Sequence, residues 1–318
     1  MNRFWDIIIE PLFNEIKPKY IVEIGSFTGE NTKRILNYCK KNNSKLASID
    51  PAPRFDVKEY KQKFPENFYT YEDISLNALS NLEGYDIILI DGDHNWYTVY
   101  NELKLIENKF SQDDFPFIIM HDVSWPYGRR DGYYSPKDIP EEFRNEYKKR
   151  GMRPYRSELM DVGGINPFMD NAVSENTPKN GVLTAIEDFL NESTLDLSFY
   201  KINGFNGLGI IYPTNKQSYE FIDKIVRESN IGEVAEKEFY INIIGKINQI
   251  NAQKGEINQL KSKINELEQN MSVSPDPEIL KNLHREQGTI IKIMNDALNE
   301  IGELKNEIDS LKNSNSKY

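Results

Sequence analysis

Two groups of acids and histidines stand directly after apolar runs in the middle of the chain. The run YDIILI is followed by Asp91, with His94 three residues further on, and the run FPFIIM is followed by His121 and Asp122. Oxygen ligands suit Mg²⁺, so Asp91 and Asp122 could together hold this cation. Imidazole titrates near neutral pH, which makes His94 a candidate general base. The alternative for either histidine is a structural hydrogen bond to a backbone carbonyl at a strand end.

A glycine loop near the N-terminus offers a second place for chemistry. The sequence predicts a short buried strand over Tyr20–Ile24, a tight turn from Gly25 to Gly29, and a helix that begins at Glu30. Glycine adopts positive φ and projects no Cβ, so the backbone of such a turn can approach a ligand closely. Asp50 ends the next apolar run, where a carboxylate can accept hydrogen bonds from a ribose diol. These features predict a site for a nucleoside cofactor.

The spacing of this loop excludes the common phosphate-binding motifs. A dinucleotide fingerprint needs G-x-G-x-x-G and a P-loop needs a G-K-[ST] ending, whereas this loop has two glycines and no lysine. Glu23, two residues before Gly25, would repel a pyrophosphate. An acidic residue here suits a cofactor that carries an ammonium and a sulfonium group.

Apolar runs that alternate with helical segments must position these side chains. Such an alternation indicates a parallel sheet covered on both faces, and ligands in such sheets bind beyond the carboxyl ends of the strands. The segment 197–213 adds two strands around an Asn-Gly turn. Four acids that follow or end the predicted strands should therefore converge at one edge of the sheet: Asp50, Asp73, Asp91 and Asp122.

The glycine loop and the following strand-end acid resemble motifs I and II of class I S-adenosylmethionine-dependent methyltransferases. The resemblance rests on E-I-G-x-x-x-G-x-x-T, which begins at Glu23, and on Asp50. It implies a Rossmann-like α/β fold, with a mostly parallel seven-stranded sheet and helices on both faces, and S-adenosyl-L-methionine as cofactor. It also implies the cofactor-binding residues Glu23, Gly25, Ser26, Gly29, Thr32, Asp50, Asp73, Ile74 and Asp91.

The signature I-D-G-D-H-x-x-Y, with H-D-V at the next strand end, is similar to metal-dependent small-molecule and sugar O-methyltransferases of bacterial glycan or glycoside pathways. The resemblance implies Mg²⁺ at Asp91 and Asp122, with His94 as the base that deprotonates the acceptor hydroxyl. Many relatives carry two acids, or an acid and an amide, where this chain has His121 and Asp122. The third metal ligand is therefore open between Asp93, His121 and water.

The segment 124–181 is longer than an ordinary connection and is predicted to be a lid or substrate-binding insertion. Aromatic rings stack on the apolar faces of sugars, and guanidinium groups bind carboxylate or phosphate. The alternative is a structural excursion whose aromatics pack on the sheet. The predicted substrate-binding residues are Trp125, Tyr127, Arg129, Arg130, Tyr133 and Tyr134.

The C-terminal third has a different pattern. Apolar residues recur every seven positions, which indicates a coiled coil, and the pattern is interrupted at 272–277 before it resumes near Leu280. We expect a methyltransferase domain over 1–215 and a helical coiled-coil region over 216–318. This region would form a homo-oligomer or dock a partner protein. The alternative is a single amphipathic helix on the catalytic domain, and the chain could also be a fragment of a longer protein. The first heptad series comprises Ile243, Ile250, Ile257, Ile264 and Met271.

Composition bounds the partners. The net charge of −11 argues against a nucleic-acid substrate. No signal peptide and no membrane span is predicted, and the single cysteine, Cys39, fits a reducing cytoplasm. We expect methyl transfer to a saccharide-type hydroxyl. The alternatives are a metal-independent methyltransferase, an inactive scaffold in a glycan-assembly complex, and a hydroxylase-like use of the same fold.

Overall fold

The computed structural model describes residues 1–271, 278, 281–282, 284–293 and 295–296. The chain folds as two units, 1–232 and 233–318. Within the described residues, no helix combines the length and the apolar composition needed to cross a membrane.

A seven-stranded sheet forms the centre of the first unit. Its strands are β1 (Tyr20–Ile24), β2 (Lys45–Ile49), β3 (Phe68–Tyr71), β4 (Ile87–Ile90), β5 (Phe117–His121), β9 (Leu197–Ile202) and β10 (Leu208–Pro213). The five strands of the N-terminal half run parallel to one another, and the last two are antiparallel to their neighbours. The order across the sheet is β3-β2-β1-β4-β5-β10-β9, so successive strands are added on one side of β1 up to β3 and on the other side from β4 onward. Ligands bind at this kind of switch point.

Helices cover both faces of the sheet, because successive residues of each strand point to opposite sides. Ile21 and Leu89 pack in one core cluster, whereas their neighbours Val22 and Ile88 pack in the other. The mostly parallel, Rossmann-like arrangement predicted from the sequence is confirmed. The helices are α1 (Glu10–Ile16), α2 (Glu30–Asn42), α3 (Val57–Lys63), α4 (Ser75–Leu79), α5 (Trp96–Glu107), α6 (Val182–Glu192) and α7 (Lys216–Glu228), with a 3₁₀ turn (Asn2–Phe4) and a π-helical turn (Trp5–Ile9) before α1.

Local capping fixes the helices that start at the strand tips. Gly29 precedes α2 with φ +78°, which a residue with a side chain adopts only at a cost. Asn95 caps α5, and its side chain accepts a hydrogen bond from the Thr98 backbone N–H at 2.9 Å. These caps determine where the loops after β1 and β4 end.

The insertion between β5 and α6 is an ordered substructure. Its elements are β6 (Gly132–Tyr133), the 3₁₀ turns Pro136–Asp138 and Glu141–Phe143, β7 (Tyr147–Lys149) and β8 (Asp170–Ala172). The three strands form an antiparallel sheet of order β6-β8-β7, a feature that the sequence pattern did not predict. Gly132 in β6 also bridges His94, with the Gly132 N–H donating to the His94 carbonyl at 3.0 Å. The insertion is thereby joined to the loop after β4.

The first unit extends past the predicted boundary at residue 215, because α7 packs on the sheet. Phe221 lies with its ring 5.9 Å from that of Phe117, and the Tyr200 hydroxyl donates to Asp223 at 3.1 Å. The amphipathic α7 therefore belongs with the sheet.

Most of α8 (Ile231–Met271), a helix of 41 residues, belongs to the second unit. Its predicted heptad positions Ile243, Ile250, Ile257 and Ile264 are all half-buried. The Lys263 ammonium lies 3.0 Å from the Glu286 carboxylate, so two stretches of this unit lie side by side. The coiled coil itself stays a prediction, and the interruption at 272–277 and the heptads from 297 onward lie outside the described residues.

Candidate active site

The glycine loop after β1 lies directly against the end of β4. Gly25 has φ +87°, and a Cβ at this position would collide with the backbone carbonyl of Asp91. At Gly29, a Cβ would lie 2.7 Å from the ring of Phe55. Both positions therefore require glycine for packing as well as for conformation.

Asp50, at the end of β2, holds the glycine loop in place. Its Oδ2 accepts hydrogen bonds from the backbone N–H groups of Ser26 at 2.9 Å and Phe27 at 2.7 Å. Its Oδ1 accepts one from the Ala52 N–H at 2.8 Å. A carboxylate oxygen accepts two hydrogen bonds, so Oδ1 retains capacity for a ligand hydroxyl. Asp50 thus shapes the loop and can still contact a ribose.

Glu23 and Thr32 lie behind the loop. The Glu23 carboxyl is 1 % exposed and accepts hydrogen bonds from Thr32 Oγ1 at 2.6 Å and from Asn31 Nδ2 at 2.9 Å. Burial raises the pKa of Glu23 to about 7. The two residues tie the start of α2 to β1, so a role in cofactor binding would be exerted through the loop.

Asp73 and Ile74 are exposed at the end of β3, outside the cavity described next. The Asp73 Oδ1 accepts hydrogen bonds from the Ile74 N–H at 2.7 Å and from Asn77 Nδ2 at 3.2 Å. This geometry stabilises the start of α4.

A cavity of about 290 Å³ opens at the tips of β1, β4 and β5. It brings together residues predicted from the sequence and others that were not, and the latter include Phe27, Thr28, Asn31 and the first two residues of the chain. The Met1 amino group lies 3.0 Å from Asp91 Oδ2. Predicted residues that line the cavity are Gly25, Ser26, Asp91, His94, Asp122 and Tyr134.

Four side chains in this cavity form a continuous chain of hydrogen bonds. His94 Nε2 lies 2.8 Å from Asp122 Oδ2, and the same oxygen lies 2.9 Å from His121 Nδ1. His121 Nδ1 also lies 3.0 Å from Asp91 Oδ1. Asp122, which the predictions paired with Asp91, thus contacts both histidines.

The charges of these four side chains follow from the alternation of acids and imidazoles along the series of hydrogen bonds. Burial opposes the charge on His121, but Asp91 and Asp122 raise the pKa of this imidazole to about 10. His121 Nε2 faces the Phe205 carbonyl at 3.0 Å, so both ring nitrogens have acceptors and the ring is an imidazolium. Burial likewise opposes the charge on Asp122, yet His94 and His121 hold the pKa of this carboxyl well below its usual range.

His94 has one ring nitrogen available for chemistry. Burial disfavours its charged form, but Asp122 raises the pKa of the imidazole. Because Nε2 faces Asp122, the second nitrogen, Nδ1, is the one left to exchange a proton. Nδ1 is buried and has no hydrogen-bond partner among the residues that the structure describes. The rings of Tyr127 and Tyr134 lie 4.9 and 5.6 Å from the His94 ring.

Asp122 adopts an unusual backbone conformation, with φ +58°. The left-handed region costs a residue with a side chain about 1–2 kcal/mol. Strain of this kind persists where the surrounding structure holds it, and it is common at functional sites. Here it directs a buried carboxylate towards two histidines.

The donor set at the tips of β4 and β5 fits a divalent cation. In the part of the chain that the structure describes, Asp91, His121 and Asp122 each offer a ligand atom within 4.8 Å of the others. Asp93 is engaged elsewhere, since its carboxylate accepts from the His94 N–H and from Thr98 Oγ1, both at 3.1 Å. Of the third ligands that the sequence left open, His121 is placed with the two acids. It would have to lose a proton to bind a metal.

The predicted substrate residues of the insertion divide into two groups, and the larger group makes hydrogen bonds within the protein, while its substrate role stays a prediction. Arg130 is 1 % exposed and donates to the carbonyls of Ala172 and Ser157. Arg129 forms two hydrogen bonds with Glu187, at 2.5 and 2.6 Å. Arg130 serves the insertion's own structure, because its buried carbonyls need donors, whereas Arg129 joins the insertion to α6.

The predicted tyrosines and tryptophan divide in the same way. Tyr133 is buried and donates to Asp131 at 2.7 Å, and the Tyr127 hydroxyl contacts Asn171 at 3.1 Å. Trp125 is half-buried and precedes a cis peptide bond to Pro126. Tyr134 is exposed and lines the cavity, so it is the predicted substrate residue best placed to meet a ligand.

Comparison with known proteins assigns part of the chain. Residues 22–123 match the family model Methyltransf_24, described as "Methyltransferase domain". The match runs from β1 through the acids after β5, so this segment is similar to a methyltransferase domain. No curated protein sequence matches significantly.

Solved structures of low similarity include three methyltransferases. PaMTH1 of Podospora anserina, bound to SAH, is 18 % identical, with a TM-score of 0.43 over 67 % of this chain and 78 % of that one. A methyltransferase of Geobacter sulfurreducens is 11 % identical, with a TM-score of 0.35 over 65 % and 77 % of the chains. The 1,6-didemethyltoxoflavin-N1-methyltransferase of Burkholderia thailandensis is 12 % identical, with a TM-score of 0.35 over 63 % and 73 %.

Proposed function

We propose that this chain transfers the methyl group of S-adenosyl-L-methionine to a hydroxyl of a saccharide or glycoside acceptor. The observation that supports it most is the chain of hydrogen bonds from His94 through Asp122 and His121 to Asp91. It lies in the cavity beside the glycine loop, within the segment that matches a methyltransferase domain. A base and a cofactor loop in one cavity are what methyl transfer to a hydroxyl requires.

The cofactor would lie along the glycine loop. Asp50 Oδ1 retains acceptor capacity for a ribose hydroxyl, and Gly25 lets the loop pass close to the tip of β4. The acids that line the cavity complement the positive sulfonium and ammonium groups of S-adenosyl-L-methionine.

His94 would act as general base. Asp122 holds its Nε2–H, which leaves Nδ1 to take the proton of the acceptor hydroxyl. As this proton moves, the acceptor oxygen forms a bond to the methyl carbon and the carbon–sulfur bond breaks. S-adenosylhomocysteine leaves, and the proton stays on His94. Asp122 orients the imidazole and stabilises its charge.

A divalent cation such as Mg²⁺, held by Asp91, Asp122 and His121, would lower the pKa of the acceptor hydroxyl. The metal-independent alternative is favoured by one observation, because the imidazolium of His121 already places a positive charge between the two carboxylates. A chelator separates the two: metal-assisted transfer stops in EDTA and returns with Mg²⁺, whereas metal-independent transfer continues.

A saccharide acceptor fits the exposed ring of Tyr134 at the cavity, which offers a flat face to a pyranose. The second unit would serve oligomerisation or docking to a partner coiled coil, and light scattering of the full chain against Ile257→Asp tests this. A cytoplasmic location accords with the buried free thiol of Cys39. The net charge of −11 disfavours a nucleic-acid acceptor.

Calorimetric titration with S-adenosylhomocysteine, with and without Mg²⁺, tests the proposal directly. We expect micromolar binding by the wild-type chain and at least tenfold weaker binding by Asp50→Ala. The matched control is Asp113→Ala, an exposed acid in the loop before β5. Absence of binding by the wild-type chain would reject the enzyme and favour the inactive scaffold.

A further inference from the structure

The outer end of the insertion presents apolar side chains to solvent. Phe168 is 90 % exposed, Tyr155 78 %, Val162 75 % and Ile165 46 %. We call residues 153–168 the insertion tip. None of these four side chains lines the cavity described above.

Backbone contacts bring the two halves of the insertion tip together. Met152 and Ile165 form an antiparallel bridge, with N–H to carbonyl distances of 3.0 and 2.8 Å. The Met160 N–H donates to the Gly151 carbonyl at 2.8 Å. The turn that carries Tyr155 and the loop that carries Val162 are therefore neighbours at one end of the insertion. Exposed apolar groups that cluster usually mark an interaction surface.

A tight turn at the insertion tip places a tyrosine between two arginines. Arg153 and Arg156 pair across the turn, and Tyr155 between them has φ +64°. A tyrosine in the left-handed region is unfavourable, and the side chain of this one is 78 % exposed. The turn holds the phenol ring in solvent.

The charge around the insertion tip is opposite to that of the whole chain. The insertion tip itself contains two basic and two acidic residues, and residues 144–152 before it add four basic residues and one acidic residue, whereas the chain carries a net charge of −11. Lys148 pairs with Glu146 and Arg150 with Asp161. Arg153 and Arg156 form no ion pair with any described residue. Two arginines beside the apolar side chains are thus left for an anionic partner.

The combination of side chains selects the partner. A nucleic acid or a sulfated polysaccharide would use the arginines and the aromatic rings but not the aliphatic Val162 and Ile165. A stable protein interface buries about 800 Å² on each side around a packed centre, whereas these apolar groups stand on loops. At a lipid surface, apolar side chains enter the headgroup region while basic ones bind anionic headgroups. We propose that the insertion tip docks this protein onto an anionic membrane surface.

Cosedimentation with lipid vesicles tests the proposal on the full-length chain, independently of methyl transfer. The vesicles contain phosphatidylcholine alone or phosphatidylcholine with phosphatidylglycerol. We expect binding only to the anionic vesicles, and weaker binding as salt is added. Arg153→Glu/Arg156→Glu should reduce this binding by roughly tenfold or more, and Val162→Ser/Phe168→Ser should reduce it severalfold.

Two matched double variants serve as controls. Lys40→Glu/Lys41→Glu makes the same charge change on exposed residues of α2, and Ile241→Ser/Ile244→Ser removes exposed apolar groups from α8. Both should bind vesicles like the wild type, and all variants should unfold at the wild-type temperature. The proposal is overturned if the wild type stays in the supernatant with anionic vesicles. It is also overturned if the control variants lose as much binding, or if a soluble sulfated polysaccharide binds the tip equally well.

Discussion

The strand tips and the insertion both carry acids, histidines, arginines or tyrosines in buried positions, but these side chains have different roles in the two regions. At the tips of β4 and β5, polar side chains extend from a sheet whose apolar core is already complete, so Asp91, His94 and Asp122 face a cavity. The insertion has only three short strands and little apolar interior, and it uses Arg130 and Asp131 as its own core. The same residue types are therefore free to act in one region and committed to structure in the other.

The difference teaches how arginines and tyrosines in a long insertion should be interpreted. A small substructure leaves backbone carbonyls and N–H groups without sheet partners, and buried polar side chains must satisfy them. Arg130 and Tyr133 do this, whereas Tyr134, the first residue after β6, lines the cavity. A polar side chain in such an insertion is a candidate functional residue when the surrounding backbone groups do not need it as a hydrogen-bond partner.

The largest effect is expected at His94. His94→Gln removes the proposed base but keeps an amide that can donate to Asp122, so methyl transfer should fall by about 10²–10⁴-fold while the unfolding temperature changes little. Initial rates with the acceptor found by screening, together with calorimetric unfolding, measure both. His284→Gln, which changes the remaining histidine outside the cavity, is the control. Wild-type rates in His94→Gln would show that the strand tips carry no base.

Asp131 should show the opposite behaviour, with a large loss of stability. Its buried carboxylate accepts hydrogen bonds at 2.7 Å from the N–H groups of Trp96 and Gly181 and from the Tyr133 hydroxyl. Asp131→Ala leaves these buried donors without partners and should lower the free energy of unfolding by about 3–5 kcal/mol. Urea unfolding measures this loss, and Asp138→Ala, which changes an exposed acid of the same insertion, is the control. Equal stability of the two variants would contradict a polar core.

Glu102 lies near the strand tips, and its charge state tests how a buried acid affects stability there. It is fully buried on α5, and burial raises its pKa to about 8, with nearby Asp93 adding to the shift and a hydrogen bond from Ser75 opposing it. The folded pKa lies above the unfolded value. The stability contributed by Glu102 is therefore fully present below about pH 4.5 and is lost as pH rises through 8.

Glu102→Gln should remove this pH dependence. The variant should match the wild type near pH 4 and exceed its free energy of unfolding by about 5 kcal/mol above pH 8. Glu23 also has a raised pKa, of about 7. Because Glu23 is present in both the wild type and the variant, the difference between their pH profiles of stability reports on Glu102. Parallel pH profiles would reject the assignment.

The smallest losses of stability are expected from substitutions of two adjacent arginines that differ in burial. Arg130→Gln should cost about 2–3 kcal/mol, because it leaves buried carbonyls and Glu175 without a donor. Arg129→Gln should cost about 1 kcal/mol or less, since its pair with Glu187 is exposed. Thermal unfolding of both variants gives the comparison, and a larger loss at Arg129 would reverse it.

Much of the fold could be predicted from the sequence, because the information is local. Apolar runs of five or six residues alternate with amphipathic helices, and this periodicity fixes the strands and the edge to which their ends point. The strand-end acids Asp50 and Asp91 follow directly from it. The site needs more, since the contact of His121 with the Phe205 carbonyl joins residues 84 positions apart. No spacing rule anticipates such a pair.

The insertion escaped prediction for the same reason. The pairing of Gly132 with Asn171 and the hydrogen bond from the Asp131 N–H to Asn180 Oδ1, which joins residues 49 positions apart, depend on long-range packing. The role of Glu102 also had no sequence signal, because an acid on a helix is usually exposed. Burial of the surrounding residues decides what these side chains do.

The hydrogen bond from His121 to Phe205 has a consequence for biosynthesis. Chains emerge from the ribosome N-terminus first, so β1 to β5 are made long before β10, which pairs with β5 through Leu208 and His121. Until the turn that contains Phe205 is made, the imidazolium of His121 has no acceptor for Nε2. The series of hydrogen bonds from His94 to Asp91 at the strand tips thus gains its last acceptor late, when the turn between β9 and β10 is translated. A nascent chain that stops before residue 205 has the glycine loop without the complete set of hydrogen bonds at the strand tips.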